Sequence, residues 1–214
     1  MLLCVALLVG ASSAGGETPA PAAPCGVSAP AGADGKTPTR VIERFHAALL
    51  AVAREAESLG YEGRFRRLAP AVEEAFDLDY MAEKVVGGPW KRLAPTEQQR
   101  WRLTFGQFMK ANYAGRFNRF SGQSFETLGN EPGAHGTAIV RTRLHNPAGE
   151  DVDLNYRLRT TPAGWRTIDI FLKGTVSELA LRRSEYAAVL RREGFDALLK
   201  IVEGRIAELA AGKE

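Results

Sequence analysis

The sequence predicts an α+β fold in which a four-stranded antiparallel sheet packs against about six helices. Residues 152–158 alternate apolar and polar side chains, the pattern of a strand with one buried face. Thr175 and Glu178 follow the last strand with the spacing of a capping box, so a hairpin is expected to lead directly into a helix. Most of the remaining chain has apolar residues at helical spacing, and such helices can cover the apolar face of the sheet.

The amino-terminal part is expected to lie outside the folded domain. Residues 1–14 are an apolar run followed by small residues and are predicted to be a signal peptide that is cleaved. Residues 15–38 consist mainly of Gly, Pro, Ala and Ser and are predicted to be a disordered linker. Residues 39–214 then form a single domain. Removal of Cys4 with the signal leaves Cys25 alone, so no intramolecular disulfide is expected.

Helical spacing and helix-ending residues predict the helices. Gly60 is expected to end the first helix, and either Asp77 or Asp79 to cap the third. Gly194 is expected to separate the last two helices. The predicted helices are residues 39–59, 62–74, 76–87, 95–120, 175–192 and 195–211.

Alternating segments separated by turn residues predict a meander of four strands. Ile168, Ile170 and Leu172 are expected on one face of the last strand, which places Asp169 on the wet face, as Asp153 is on its own strand. The predicted strands are residues 125–128, 137–145, 151–159 and 165–172.

Composition indicates a folded protein with a mildly basic surface. The chain is 45% hydrophobic and 25% charged, with a formal net charge of +3. A solvated surface explains this charge, and attraction to an anionic membrane surface is the alternative. No block of Lys and Arg or basic motif interleaved with aromatic residues occurs, which argues against nucleic acid as a partner.

Residue patterns that carry known chemistry are missing from the sequence. The three histidines are dispersed, and neither the HExxH and CxxC metal patterns nor a GxSxG nucleophile motif occurs. Asp77 and Asp79 lie two residues apart at a helix start, where capping explains one and solvent the other. We therefore predict no catalytic residue, no metal site and no enzyme activity.

Three segments in a fixed order resemble one family. They are Phe76–Met81 with Gly87, Gly88 and Trp90; Tyr113–Phe117 with Phe120–Gln123; and Asp153–Arg159 with Trp165, Ile168–Ile170 and Gly174–Ser177. Together they resemble the MlaC family, also called the toluene-tolerance auxiliary family, of periplasmic phospholipid-binding proteins. The segment from Gly174 to Tyr186 is similar to the hopanoid-biosynthesis-associated branch, HpnM. The resemblance extends over roughly residues 40–210.

The resemblance implies a bent sheet wrapped by helices that enclose an apolar cavity. It implies a periplasmic carrier that shuttles phospholipid or hopanoid between the inner and outer membranes, with transient contact at the membrane surface. The implied partners are an inner-membrane ABC transporter complex and an outer-membrane lipoprotein or porin. The bound lipid is cargo, and no cofactor is expected.

Inward-facing apolar residues are the candidate contacts for lipid tails. Met side chains suit this role because they are flexible and fill gaps. For each residue singly, ordinary core packing is an equally good explanation. The candidates are Met81, Val85, Phe105, Phe108, Met109, Tyr113, Val140, Leu154, Tyr156, Leu158, Ile168, Ile170 and Leu179.

Two other function classes remain open from the sequence. An enzyme on a cone-shaped α+β scaffold would need a titratable group in its cavity, and the inward-facing candidates are Tyr80, Tyr113 and Tyr156. A non-catalytic periplasmic interaction module would instead fill its interior with its own side chains.

Overall fold

The computed structural model describes residues 37–147 and 149–212, so the predicted signal peptide and nearly all of the predicted linker lie outside the described residues. The helices and strands of this part follow in the order α1 (Pro38–Arg54), α2 (Ala56–Ala75), α3 (Leu78–Val86), α4 (Pro95–Arg116), β1 (Ser124–Pro132), β2 (Ala138–His145), β3 (Val152–Thr161), β4 (Gly164–Leu172), β5 (Val176–Ser177), α5 (Glu178–Glu193) and α6 (Phe195–Ala210).

The strands form one antiparallel sheet in the order β1-β2-β3-β4-β5. The predicted α+β class is confirmed, but the prediction of four strands was wrong by one. The additional strand is β5, which pairs with the end of β4 in a stretch that was expected to begin a helix. The register shifts between Thr127 and Gly129 in β1 and again at Ile168 in β4. Such bulges bend a sheet and increase its twist.

The bulge in β4 changes which side chains face the helices. Tyr156 pairs with Ile170 as simple alternation requires, but Leu158 pairs with Thr167 and Ile168 has no partner in β3. The expectation that Ile168 and Ile170 alternate regularly on one face was therefore wrong. Asp169 was also misplaced, because it is only 8% exposed.

Asp169 joins the sheet to the start of α5. Its Oδ2 accepts a hydrogen bond from the Ser177 hydroxyl at 2.6 Å, and its Oδ1 accepts one from the Leu179 N–H at 3.1 Å. The Ser177 hydroxyl in turn accepts the N–H of Ala180 at 2.9 Å. Ser177 is therefore the N-cap of α5, and the prediction of Thr175 as the cap was wrong. Burial raises the pKa of Asp169, and these hydrogen bonds oppose that shift.

Several helix boundaries differ from those predicted. Gly60 has φ 58° and interrupts the helical backbone as predicted, but α1 has already ended at Arg54. Helix α4 ends at Arg116, four residues before the predicted end. Of the two predicted caps, Asp77 is the residue that caps α3, because its carboxylate accepts the N–H of Tyr80 at 3.1 Å. None of the helices in the described ranges is long and apolar enough to cross a bilayer.

The helices and the inner face of the sheet share one hydrophobic core. Helix α1 contacts β1, β2 and β4, and α4 packs against α2, α3 and α6. Helix α3 packs against α5 and contacts β4. From the helical side Trp101 and Phe105, and from the sheet Val140 and Leu158, are fully buried.

Candidate functional site

The predicted lipid contacts meet in this core from α3, α4, α5 and three strands. They pack against other side chains, so the structure brings them together without testing their role. The buried members are Met81, Val85, Phe105, Phe108, Met109, Tyr113, Val140, Tyr156 and Leu158. Leu154, Ile170 and Leu179 are half-buried against the same cluster, whereas Ile168 is buried outside it.

A continuous series of aromatic side chains, here called the ring path, crosses the core. It begins at Phe76, whose ring centroid is 5.1 Å from that of Phe45 and 5.6 Å from that of Tyr113. Tyr113 contacts Phe117 at 6.4 Å between centroids, and Phe117 contacts Phe125 at 6.5 Å. The ring path is therefore an apolar connection from the α2–α3 junction to the sheet. Its members are Phe45, His46, Phe76, Tyr113, Phe117, Phe125 and Tyr156.

The far end of the ring path contains the buried polar pair of His46 and Tyr156. The imidazole stacks on the Phe125 ring with 3.7 Å between centroids. Its Nε2 shares a hydrogen bond of 3.0 Å with the Tyr156 hydroxyl. Burial lowers the pKa of His46 from 6.5 to about 3, and burial raises the pKa of Tyr156. Both side chains are therefore neutral at pH 7.

A second aromatic group lies between α4 and α5. Trp101 contacts Tyr186 edge to face at 5.4 Å between centroids and Phe105 at 6.0 Å. The Trp101 indole donates a hydrogen bond to the Ala82 carbonyl at 2.8 Å. The aromatic side chains of α4 therefore divide between two groups of rings. Tyr113 joins the ring path, whereas Phe105 packs with the α5 side of the helical layer.

A cleft of about 850 Å³ opens beside α3, and we call it the polar cleft. Its walls come from the ends of α2 and β3, from β4, from α3 and from one side chain of α4. The lining contains equal numbers of acidic and basic side chains, and none of the predicted lipid contacts lines it. The lining residues are Glu73, Phe76, Asp77, Leu78, Asp79, Tyr80, Glu83, Lys84, Arg102, Arg159, Thr161 and Arg166.

One wall of the polar cleft is fixed by an ion pair between α3 and β3. Both Nε and Nη2 of Arg159 lie close to Asp77 Oδ2, at 2.7 and 2.6 Å. The Arg159 guanidinium also lies 4.2 Å above the Tyr80 ring centroid, and Lys84 lies 5.0 Å from the same ring. Since Asp77 also caps α3, one carboxylate holds the helix start and the strand end in place.

Phe76 connects the polar cleft with the ring path, since it belongs to both. Its backbone pairs with Thr167, and the Thr167 carbonyl accepts the N–H of Asp77 at 2.9 Å. The Thr167 hydroxyl is fully buried and is the one buried side-chain polar atom in the described ranges that lacks a hydrogen-bond partner. An unpaired buried hydroxyl costs about 1–3 kcal/mol, so a site that retains one calls for an explanation.

A smaller groove of about 240 Å³ lies between α1 and α2. Phe45 and Ala75 contribute apolar surface to it, and Arg44 and Arg67 contribute cations. Phe45 also belongs to the ring path, so this groove contacts the same aromatic series as the polar cleft. None of the predicted lipid contacts lines it.

Comparison with known proteins identifies the family. Residues 43–203 match the sequence profile of the family described as MlaC protein. This chain belongs to the MlaC family. Its fold matches that of a phospholipid-binding protein from Ralstonia solanacearum, which was solved in complex with a phospholipid. The TM-score is 0.70 at 22% identity, over 83% of this chain and 99% of the other. The predicted family is thereby confirmed, and assignment to its HpnM branch stays a prediction.

Sequence reasoning missed several residues of this MlaC-family site. His46 was grouped with the dispersed histidines, although it lies in the apolar stripe of α1 between the buried Phe45 and Leu49. That placement was the available signal for its burial. Asp77 was one of two candidate caps of α3, and its pairing with Arg159 had no local signal. In the described ranges, no group of three or more His, Cys, Asp or Glu side chains is arranged to hold a metal ion.

Proposed function

We propose that this protein is a periplasmic carrier that binds one lipid and moves it between the inner and outer membranes. Membership in the MlaC family supports this proposal, together with the shared fold of a protein solved with a bound phospholipid. The observation that best supports it is the ring path, because it joins a surface cleft to the hydrophobic core.

The energetics explain why a carrier needs such an interior. Each buried methylene is worth about 0.8 kcal/mol, so a two-chain lipid with roughly 30 methylenes gains on the order of 20 kcal/mol when its tails leave water. The headgroup gains nothing comparable, because burial of an unpaired charge costs several kcal/mol. A carrier that surrounds the tails and keeps the headgroup at its mouth meets both demands.

Tail binding requires the core side chains to move apart. Met81 and Met109 lie in this core and are 5% and 6% exposed. Methionine side chains have three rotatable bonds and adapt to irregular shapes, so they can make room for tails of different length. The sheet and α1 would separate along the ring path, where aromatic rings offer broad apolar contact area to a tail.

The membrane partners and the cargo follow from the same proposal. An inner-membrane ABC transporter complex would exchange lipid with the carrier, and an outer-membrane lipoprotein or porin would do so on the other side. Phospholipid and hopanoid are the two cargo classes. The signal peptide that the sequence predicts over residues 1–14 would direct the domain to the periplasm.

Native mass spectrometry of the purified domain, followed by organic extraction and lipid identification, tests the carrier function. A bound diacyl lipid supports phospholipid carriage, and a bound hopanoid assigns the cargo to the other class. A protein that is purified without lipid and also takes up none from vesicles would contradict the carrier function.

Catalysis is the second candidate, and the pair of His46 and Tyr156 favours it. A buried His and Tyr at hydrogen-bond distance with shifted pKa values are typical of sites for proton transfer. Neither residue lines the polar cleft or the α1–α2 groove. Chemical change of an extracted lipid after incubation, lost in His46→Gln but not in His145→Gln, would support an enzyme.

A further inference from the structure

We propose that the polar cleft binds a lipid headgroup that carries both a phosphate and a primary ammonium, as in phosphatidylethanolamine. This inference rests on the carrier function proposed above. It adds the place of the headgroup and its chemical class.

The polar cleft carries charges of both signs. Glu73, Asp77, Asp79 and Glu83 face it together with an equal number of cations. An anionic headgroup would bring its negative charge next to these carboxylates, which costs free energy. A headgroup with one charge of each sign can pair with both kinds of side chain.

Only some of these charged side chains are available to a ligand. Asp77 is bound to Arg159, Glu83 to Lys84 and Glu73 to Lys110. Within the described ranges, the remaining lining charges, Asp79, Arg102 and Arg166, lie within 4 Å of no oppositely charged side chain. Two cations and one carboxylate thus remain for a ligand.

Both unpaired arginines can donate hydrogen bonds to a ligand. The Arg102 guanidinium lies 5.0 Å from the centroid of the Trp90 ring and donates no hydrogen bond to any residue in the described ranges. Arg166 donates one hydrogen bond to the Trp165 carbonyl at 3.0 Å and retains further donors. Arg102 is on α4 and Arg166 on β4, so a phosphate in the cleft can receive donors from two walls.

The polar cleft adjoins the hydrophobic core. Phe76 lines the cleft and is also the first member of the ring path. Leu78 lines the cleft and packs against the hydrophobic core. A phosphate bound by Arg102 and Arg166 therefore lies in the same cleft as Phe76, past which the tails can enter the core. The ammonium pairs with Asp79, which is exposed on the first turn of α3.

The test measures lipid uptake by native mass spectrometry after incubation with vesicles of phosphatidylethanolamine, phosphatidylglycerol or phosphatidylcholine. We expect the wild type to take up the ethanolamine lipid in preference to the other two. The double variant Arg102→Gln/Arg166→Gln should take up all three about tenfold less, since a hydrogen bond to a charged group is worth about one factor of ten or more. Asp79→Asn should lose only the preference for the ethanolamine lipid.

Arg191→Gln is the matched control, because Arg191 is an exposed arginine of α5 that does not line the cleft. It should behave as the wild type, and thermal unfolding of each variant confirms that the domain is folded. If the wild type takes up all lipids equally and the cleft variants match Arg191→Gln, the headgroup site is wrong and the carrier function stands. If the wild type takes up no lipid from any vesicle, the carrier function itself fails, and the headgroup site with it.

A tail-free probe separates the cleft from the core. Glycerophosphoethanolamine at millimolar concentration should shift the NMR signals of the Arg102 and Arg166 guanidinium groups and leave that of Arg191 unchanged. Unchanged signals for both cleft arginines would overturn the assignment of the headgroup to this cleft.

Discussion

His46 of α1 and Tyr156 of β3 share a hydrogen bond of 3.0 Å, although 110 residues separate them in the chain. His46 is 3% exposed and Tyr156 is 2% exposed. The bond joins the helical layer to the sheet at the far end of the ring path. The same two layers must separate if lipid tails enter there, so this pair is expected to influence both stability and cargo binding.

Tyr156→Phe should destabilise the domain by about 1–3 kcal/mol, because it leaves the buried imidazole nitrogen without a partner. Urea unfolding followed by circular dichroism measures the change. Tyr186→Phe is the comparison, since it removes a tyrosine hydroxyl that is buried outside the ring path and bonds to Arg182, so it reports the cost of losing a hydroxyl elsewhere in the core. An unchanged urea midpoint for Tyr156→Phe would show that the hydrogen bond contributes no net stability.

Acidification should destabilise the protein through His46. Its folded-state pKa is lowered from 6.5 to about 3, so the stability it contributes is present above pH 6.5 and is lost as pH falls toward 3. The free energy of unfolding should fall by up to about 1.4 kcal/mol per pH unit within this window. Urea unfolding at pH 7, 6, 5 and 4 gives the slope of the free energy of unfolding against pH. This slope should be less steep for His46→Gln than for the wild type.

His145 should have the opposite effect on the pH dependence of stability. Hydrogen bonds to Asp151 and Glu126 raise its pKa above 6.5. Its contribution is therefore present below pH 6.5 and is lost as pH rises through the raised value. His145→Gln should leave the slope below pH 6 nearly unchanged. Equal slopes for the wild type and His46→Gln would contradict the assignment to His46.

Local sequence determined the parts of the fold that were predicted correctly. Asp77 before α3 and Gly194 after α5 are recognisable because capping depends on a few neighbouring residues. The bulge at Ile168 was not predictable, because alternation along β4 does not reveal an extra residue relative to β3. Ser177 became the cap in place of Thr175 because the buried Asp169 on β4 binds its hydroxyl.

The candidate site shows the same division. Tyr113 and Tyr156 were identified because periodicity indicates which residues face inward. The contact of Arg159 with Asp77 spans 82 residues and depends on how the start of α3 docks against the sheet. The polar cleft arises from such docking of distant elements, so no single stretch of sequence predicts it.

Replacement of Asp77 by alanine should destabilise the domain more than replacement by asparagine. Asp77→Ala removes the cap of α3 and the partner of Arg159 and should cost about 2 kcal/mol, of which the cap accounts for about 1 kcal/mol. Asp77→Asn keeps a capping side chain and should cost about half as much. Thermal and urea unfolding of both variants measure the difference. Asp79→Ala, which removes the neighbouring carboxylate, is the control, and equal losses for all three would contradict the dual role.

Thr167→Val should leave stability unchanged or raise it by about 1 kcal/mol, because it removes a buried hydroxyl that has no partner and keeps the shape of the side chain. The hydroxyl lies where β4 pairs with Phe76, beside the boundary between cleft and core. Thr142→Val is the control for stability, since the Thr142 hydroxyl donates to the Leu154 carbonyl at 2.7 Å and its loss should destabilise.

Leu154→Arg tests whether tails occupy the inner face of the sheet. Leu154 is half-buried and lies between Thr142 of β2 and Leu172 of β4. A guanidinium there would lie among the tails, where an unpaired charge is strongly unfavourable, so we expect a folded protein without co-purified lipid. Leu103→Arg is the matched control, because Leu103 on α4 is 61% exposed, and this variant should retain lipid. If Leu154→Arg does not fold, Leu154→Gln adds polarity without charge and should still reduce bound lipid. Lipid retained at the wild-type level in a folded Leu154 variant would show that the tails lie elsewhere, and the ring path between α1 and α4 would then be the next place to substitute.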